Sequence, residues 1–461
     1  MELNYVFGTA AIMLGVFTIQ VVTRRFDPFA PIWLFLVGYL QVYVVQAISY
    51  HDWAVNVRGE ELVGLANQRA LWSLVLFVFV YYSGLGRLFA PLLPRPPARW
   101  STSTINLISP AFIIWGLVCS GVLLRSEDSS AADLSPEAAL LRSFPFLMLV
   151  AANLLIVTGA SAGSNRPTYL WMGVAVAAAY VFIWMFNGKR SHSLIGVLSA
   201  ACAYFIARRK RPSWPVLISM ACAGVFVVGV AIGWRNYKEK GDRPSFSTFL
   251  QFIGDFQLSS LMESLNIEED DGVPVKFVTH ETVEYGGFLL MMDTVPERSG
   301  FDYGANYLRV FSTFIPRFVW RDKPLFGREQ WVSAWIAGSE LKRDATFTGP
   351  AIGLLGATQL NGGAWGTAIV ITFLALLLRT SYEYFLRYST VPWVLAWWSI
   401  SYYNAWFMVV CDDPLIWFYY NWGFTCLPTL ILLWIVNQFA PSSATVPESG
   451  VTVQRPSGQW A

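Results

Sequence analysis

Residues 314–324 read FIPRFVWRDKP, in which Arg317, Arg321 and Lys323 lie among Phe314, Phe318 and Trp320, with Pro316 and Pro324 bracketing the group. Two guanidinium forks and an ammonium, with Arg328 just beyond, could hold a phosphate through charge-assisted, bidentate hydrogen bonds. The same composition suits an interfacial anchor, with aromatic rings at the lipid headgroups and cations snorkelling past them. A second stretch, THETVEYGG (279–287), sets His280 and Glu284 at the i,i+4 spacing that shares one helix face. Such a pair could transfer a proton. A hydrogen-bonded surface pair is the plainer meaning of the same spacing. Lys189 and Arg190 in FNGKRSHS, and Arg235 in GWRNYKEK, add cations at predicted outer helix ends.

The elements that must position these groups are lipid-soluble. The chain has 461 residues, 55% hydrophobic and 13% charged, about half the charge of an average soluble domain. Its mean hydropathy is +0.46, and its net charge of +2 gives no ground for a nucleic-acid partner. The five cysteines are scattered, without metal-ligand spacing. His51, His192 and His280 are likewise spread too widely to predict a metal site. The N-terminal MELNYVFGTA reads as the start of the first spanning helix.

A span needs about 20 mostly apolar residues. Eleven stretches qualify: 4–23, 28–48, 69–90, 105–124, 144–160, 168–187, 193–207, 214–233, 364–379, 391–410 and 415–437. Arg24, Arg25, Arg87, Arg95, Arg99, Arg166, Arg208, Arg209, Lys210, Arg211, Arg379 and Arg387 all follow odd-numbered spans. Alternating helices put them on one side, which the positive-inside rule makes cytoplasmic.

The expected fold is therefore an all-α polytopic integral membrane protein of about 11 transmembrane helices with one large, partly helical extracytoplasmic loop. Residues 1–233 form an N-terminal bundle, 234–363 the loop, 364–437 the C-terminal helices and 438–461 a disordered cytoplasmic tail. A connection as long as that loop is uncommon unless functional or disordered, and its Trp, Phe, Leu and Tyr content argues against disorder. Within it, Phe249, Phe252, Ile253 and Phe256 form one helical stripe, and Leu258, Leu261, Met262 and Leu265 a second on another face. Either the membrane interface or core packing accounts for them. TFTGPAIGLLGATQLNGGAWG (346–366) is glycine-rich, so backbone can pass close to backbone or ligand there.

FIPRFVWRDKP resembles the "iPR-x-x-w-x-x-KP" signature of the O-antigen (oligosaccharide repeat unit) polymerases, the Wzy-type proteins. GFDYGANYLRVFSTFIPR, with Gly304 and Tyr307, fits the approach to that signature. NGKRSHSLIGVLSA is similar to the family's G-x-R outer turn, and AIGLLGATQLNGGAWG to its Gly- and Asn-containing lead into the helix after the loop. The motifs cover roughly 185–370, and the layout matches over the whole chain. One departure is plain: where many relatives carry an acid, residues 356–363 read GATQLNGG and offer no carboxylate.

The resemblance implies a glycosyltransferase in the bacterial cytoplasmic (inner) membrane. It would move a growing glycan from undecaprenyl pyrophosphate onto the next lipid-linked repeat unit, building O-antigen, exopolysaccharide or capsule. It implies no cofactor and no metal. Its partners would be the lipid-linked oligosaccharide, membrane lipids, a flippase and a chain-length regulator. Charge developing on the leaving pyrophosphate calls for cations; Arg317, Arg321 and Lys323 are expected as the clamp, joined by Arg190 and Arg235. Trp320 and Phe318 would flank lipid or sugar, and Asn361 would contact substrate. With no acid in 356–363, the base must come from Glu284, His280, Asp302 or Asp255. An O-antigen ligase would share this layout. A flippase or other transporter would place paired charges inside its helices, whereas the predicted spans contain few ionisable residues.

Overall fold

The computed structural model describes residues 2–96, 102–126, 146–161, 166–188, 190–239, 246–256, 284–305, 307–308, 311, 315, 319–320, 352–410 and 414–439. Among these residues every regular element is helical, as the long apolar stretches predict. Helix α1 is Glu2–Val22. Helix α2 runs Pro31–Leu40, widens into a π-helical stretch Gln41–Gln46 and closes with Ala47–Ser49. There follow α3 (His51–Arg58), α4 (Glu60–Tyr82), α5 (Leu85–Phe89) and α6 (Thr102–Ser126). Next come α7 (Phe146–Ala160), α8 (Pro167–Phe186), α9 (Arg190–Arg208) and α10 (Trp214–Glu239).

The short α11 (Phe246–Asp255) and α12 (Glu284–Thr294) precede the long α13 (Gly353–Arg387). The chain ends in α14 (Pro392–Ser401), α15 (Asn404–Val410) and α16, which starts at Pro414–Trp417, continues π-helical through Phe418–Cys426 and finishes with Leu427–Phe439.

Seven described helical segments are long and apolar enough to cross a membrane: Leu3–Val22, Pro31–Ser49, Glu60–Tyr82, Thr104–Gly121, Pro167–Phe186, Trp214–Ala231 and Gly353–Arg387. The architecture is that of a multi-pass helical membrane protein. Phe146–Ala160 and Asn421–Val436 are apolar but shorter. The predicted span 391–410 is divided between α14 and α15 at Tyr402 and Tyr403. Helix α4 begins at Glu60, upstream of the predicted start at 69, because Glu60 and Glu61 in its first turn suit the positive end of the helix dipole.

Small residues bring helices close. A Cβ on Gly159 of α7 would clash with the Leu170 backbone nitrogen of α8, and one on Gly173 would lie 2.8 Å from the Ala152 oxygen. Close approach of this kind replaces the hydrophobic drive that lipid does not supply. Helices α2 and α4 meet through Phe35 and Phe77, stacked 3.6 Å apart, and through the Tyr39 hydroxyl, which donates to the Ala70 carbonyl at 2.7 Å. The Phe249 stripe of α11 faces protein: Phe249 is fully buried, 4.8 Å from the Trp234 ring, in a cluster with Met185 and Val230. The second predicted stripe, 258–265, lies outside the described residues.

Several basic connections gather at one end of the bundle. Arg87, after α4, donates to Glu383 of α13 at 2.9 Å, and Arg379 also pairs with Glu383. Asp27, between α1 and α2, accepts from Tyr382 of α13 and from the Phe29 N–H, and feels the charge of Arg211 after α9. Arg87, Arg211 and Arg379 thus meet acidic partners at one common end.

Candidate functional site

The opposite end of α13 carries a denser set of buried polar groups. Gln46 closes the π-helical stretch of α2, a local widening often found at functional positions. An amide in an apolar run needs partners, and Gln46 uses both ends. Its Nε2 donates to Glu284 Oε2 at 2.6 Å, and its Oε1 accepts from the Tyr285 N–H at 3.0 Å. Glu284 is the first residue of α12 and is 7% exposed; it is a buried carboxylate rather than part of a surface pair. Tyr285 donates its hydroxyl to Asn67 of α4 at 2.8 Å. The Tyr50 hydroxyl is pushed above its ordinary value, first by burial and then by the negative charge of Glu284.

Helix α13 enters this set through glycine. Gly353 has φ +61, and a Cβ there would lie 3.4 Å from both Glu284 Cβ and the Tyr43 hydroxyl. Tyr43 accepts from the Leu355 N–H at 2.9 Å, satisfying one of the orphan donors of the first helical turn. The helix is broken at Gly362 (φ 163, ψ 30) and Gly363 (φ 60, ψ −136). The two halves then fold tightly on each other: a Cβ on Gly366 would come 2.8 Å from the Thr358 carbonyl. The hydroxyls of Thr358 and Thr367 lie 2.9 Å apart across the break. This is the close backbone approach that the run of glycines predicts.

Asp302 and Asn361 lie beside that break. Asp302 is 4% exposed and its N–H donates to the Leu360 carbonyl at 2.8 Å. Asn361 is 6% exposed; its Nδ2 donates to the Ala357 carbonyl at 2.9 Å while its Oδ1 has no hydrogen-bond partner among the described residues. Glu284 therefore adjoins the start of the first half of α13 and Asp302 its end. At 1.5 Å per residue, positions 353 and 360 are about 10 Å apart along the helix, so the two acids flank one segment without forming a carboxylate pair.

Of the other predicted site residues, His280, Arg317, Phe318, Arg321 and Lys323 lie outside the described residues, and Trp320 is exposed. Arg190 opens α9 and Arg235 lies in α10, and both side chains are outside the described residues. The helix ends near them are joined, since Trp234 Nε1 donates to the Phe186 carbonyl at 2.8 Å. Asp255 ends α11.

The site contains a cation absent from the sequence reading. Arg69 follows Asn67 by two residues on α4, and its Nη1 donates to Gln359 Oε1 of α13. Gln359 is buried and is fixed by its own Nε2, which donates to the Val295 carbonyl at 2.7 Å. Arg58 on α3 instead pairs with Asp293 of α12 at 2.5 Å. A cation within a spanning helix costs about 2.5–3.5 kcal/mol on insertion scales and is a functional signal by default; with the third span predicted to start at 69, Arg69 reads as a boundary residue. The assembled groups thus comprise an oriented carboxylate, a guanidinium and a broken helix. Such a set can accept a proton and bind an anion. Comparison with protein families, curated proteins and solved structures finds no match.

Proposed function

We propose that the chain is a membrane glycosyltransferase that polymerises undecaprenyl-pyrophosphate-linked oligosaccharide repeat units at the outer face of the bacterial cytoplasmic membrane. In this reading there are eleven spans, and residues 234–363 face outward. The polymerase-like signature in FIPRFVWRDKP supports it. The structural observation that carries it furthest is Glu284, a carboxylate buried in the bundle, oriented by Gln46 and set against the glycine-rich start of α13.

The reaction joins an acceptor hydroxyl oxygen to the anomeric carbon of the donor glycan. The bond from that carbon to the pyrophosphate oxygen breaks, and its electron pair leaves on the pyrophosphate. Glu284, or His280 beside it in sequence, takes the acceptor proton. Arg317, Arg321 and Lys323, with Arg190 and Arg235, stabilise the departing charge. Asp302 is the alternative base, and Asn361 and Trp320 contact the sugar.

Purified protein incubated with a defined polyprenyl-pyrophosphate oligosaccharide is expected to give a ladder of products, which Arg317→Ala and Arg321→Ala shorten or abolish. Intact substrate with no ladder, from a correctly folded preparation, overturns the assignment. Transfer of finished glycan to a different lipid or protein acceptor would instead identify a ligase. A second reading, transport of the same substrate, draws on Arg69 within a spanning helix and on the break in α13, features used by transporters with discontinuous helices. Substrate movement across proteoliposomes without glycosidic bond formation would select it.

A further inference from the structure

We propose that Arg69, held by Gln359, is a binding site for a phosphate-class oxyanion carried on a lipid or free in solution. Arg69 lies nine residues into α4, about 13 Å along the helix from Glu60, within a segment apolar enough to span a membrane. Its single hydrogen-bond partner among the described residues is the Gln359 amide oxygen. A guanidinium carries five N–H donors, so most of its bonding capacity is unused. The amide is neutral, and no carboxylate among the described residues pairs with the charge. Three other arginines among the described residues have carboxylate partners: Arg58 has Asp293, and Arg87 and Arg379 share Glu383.

A half-buried cation in a spanning helix with no carboxylate partner among the described residues is costly unless a ligand completes it. The planar fork of Arg matches the geometry of phosphate oxygens. Gln359 is locked by Val295, so the guanidinium has a fixed support. The glycine break lies alongside: a Cβ on Gly363 would be 3.8 Å from Gln359 Oε1. Non-helical backbone at membrane depth is tolerated where it is enclosed by protein or lines a cavity, which gives an anionic group polar surroundings beside the cation. The proposal stands independently of glycan polymerisation, and its readout is binding rather than product.

The test uses the full-length protein in phosphatidylcholine nanodiscs, titrated by calorimetry with inorganic pyrophosphate and separately with polyprenyl pyrophosphate, with polyprenol as the uncharged control. Arg69→Ala is expected to weaken anion binding at least tenfold, while Arg58→Ala leaves it unchanged. Gln359→Glu supplies an internal carboxylate to Arg69, so it should weaken binding at least as much as Arg69→Ala while thermal stability is kept or raised; this variant tests the site even if Arg69→Ala fails to fold. Binding of both pyrophosphates supports a site open to the free anion, and binding of the lipid form alone supports a membrane-borne source. Equal binding of polyprenol, or wild-type affinity in both Arg69→Ala and Gln359→Glu, overturns the proposal.

Discussion

Gln46 and Glu284 are separated by 238 positions and joined by one hydrogen bond of 2.6 Å, while the same Gln46 amide accepts from the backbone of Tyr285. A single side chain on α2 thereby fixes both the carboxylate and the first turn of α12. Replacing it by Gln46→Leu removes both of these hydrogen bonds from a buried setting, at about 1 kcal/mol each and more for the charged partner. Thermal unfolding in detergent should fall accordingly. Gln46→Glu should lower it further at neutral pH, because it sets a second carboxylate against Glu284.

Glu284→Gln keeps the size and an oxygen acceptor for Gln46. The variant should retain the wild-type unfolding temperature to within about a degree. Under the glycosyltransferase reading it should lose about 100-fold or more of polymer formation, the scale of a missing general base. Full activity in this variant would transfer the role to His280 or Asp302.

Gly363→Ala forces a Cβ into a backbone with φ +60 and ψ −136, 3.3 Å from the Phe301 ring. A cost of about 1–3 kcal/mol is expected for a residue held in such a region. Gly362→Ala, whose Cβ would meet nothing within 4 Å, should cost less. Unfolding of the two variants in the same detergent gives the comparison directly.

Asp27 sets a pH dependence at the arginine-rich end. Burial raises its pKa from the ordinary 3.8, against the opposing effects of the Tyr382 hydroxyl, the Phe29 N–H and Arg211. The folded state therefore holds its proton more tightly than the unfolded chain. That contribution is fully present below 3.8 and is lost as pH rises through the raised folded value. Asp27→Asn, which cannot ionise, should show a flatter stability profile over this window; an unchanged slope would assign the dependence to another group.

The apolar segments were legible because each long span declares itself by about 20 residues of composition, and the Phe249 stripe because helical spacing is local. The polar site was legible only at its acids and its asparagine. Glu284 and Asp302 stand out as chemical types and Asn361 through the resemblance, whereas Gln46, Asn67 and Gln359 are amides with no spacing of their own. Their meaning comes from partners more than 60 residues away in sequence. Arg69 could have been found by asking for cations inside spans, but the polar run 58–69 masks the true start of α4.

Helix α7 has fourteen of its fifteen residues buried, and α6, α8, α9 and α14 surround it. Its length of about 22 Å is well short of a hydrocarbon layer of about 30 Å. Enclosed by protein, it has no bilayer thickness to match. During biosynthesis the situation is reversed, since a nascent segment of this length has no comfortable resting place in lipid alone. Its stable placement therefore depends on the packing of its neighbours rather than on lipid.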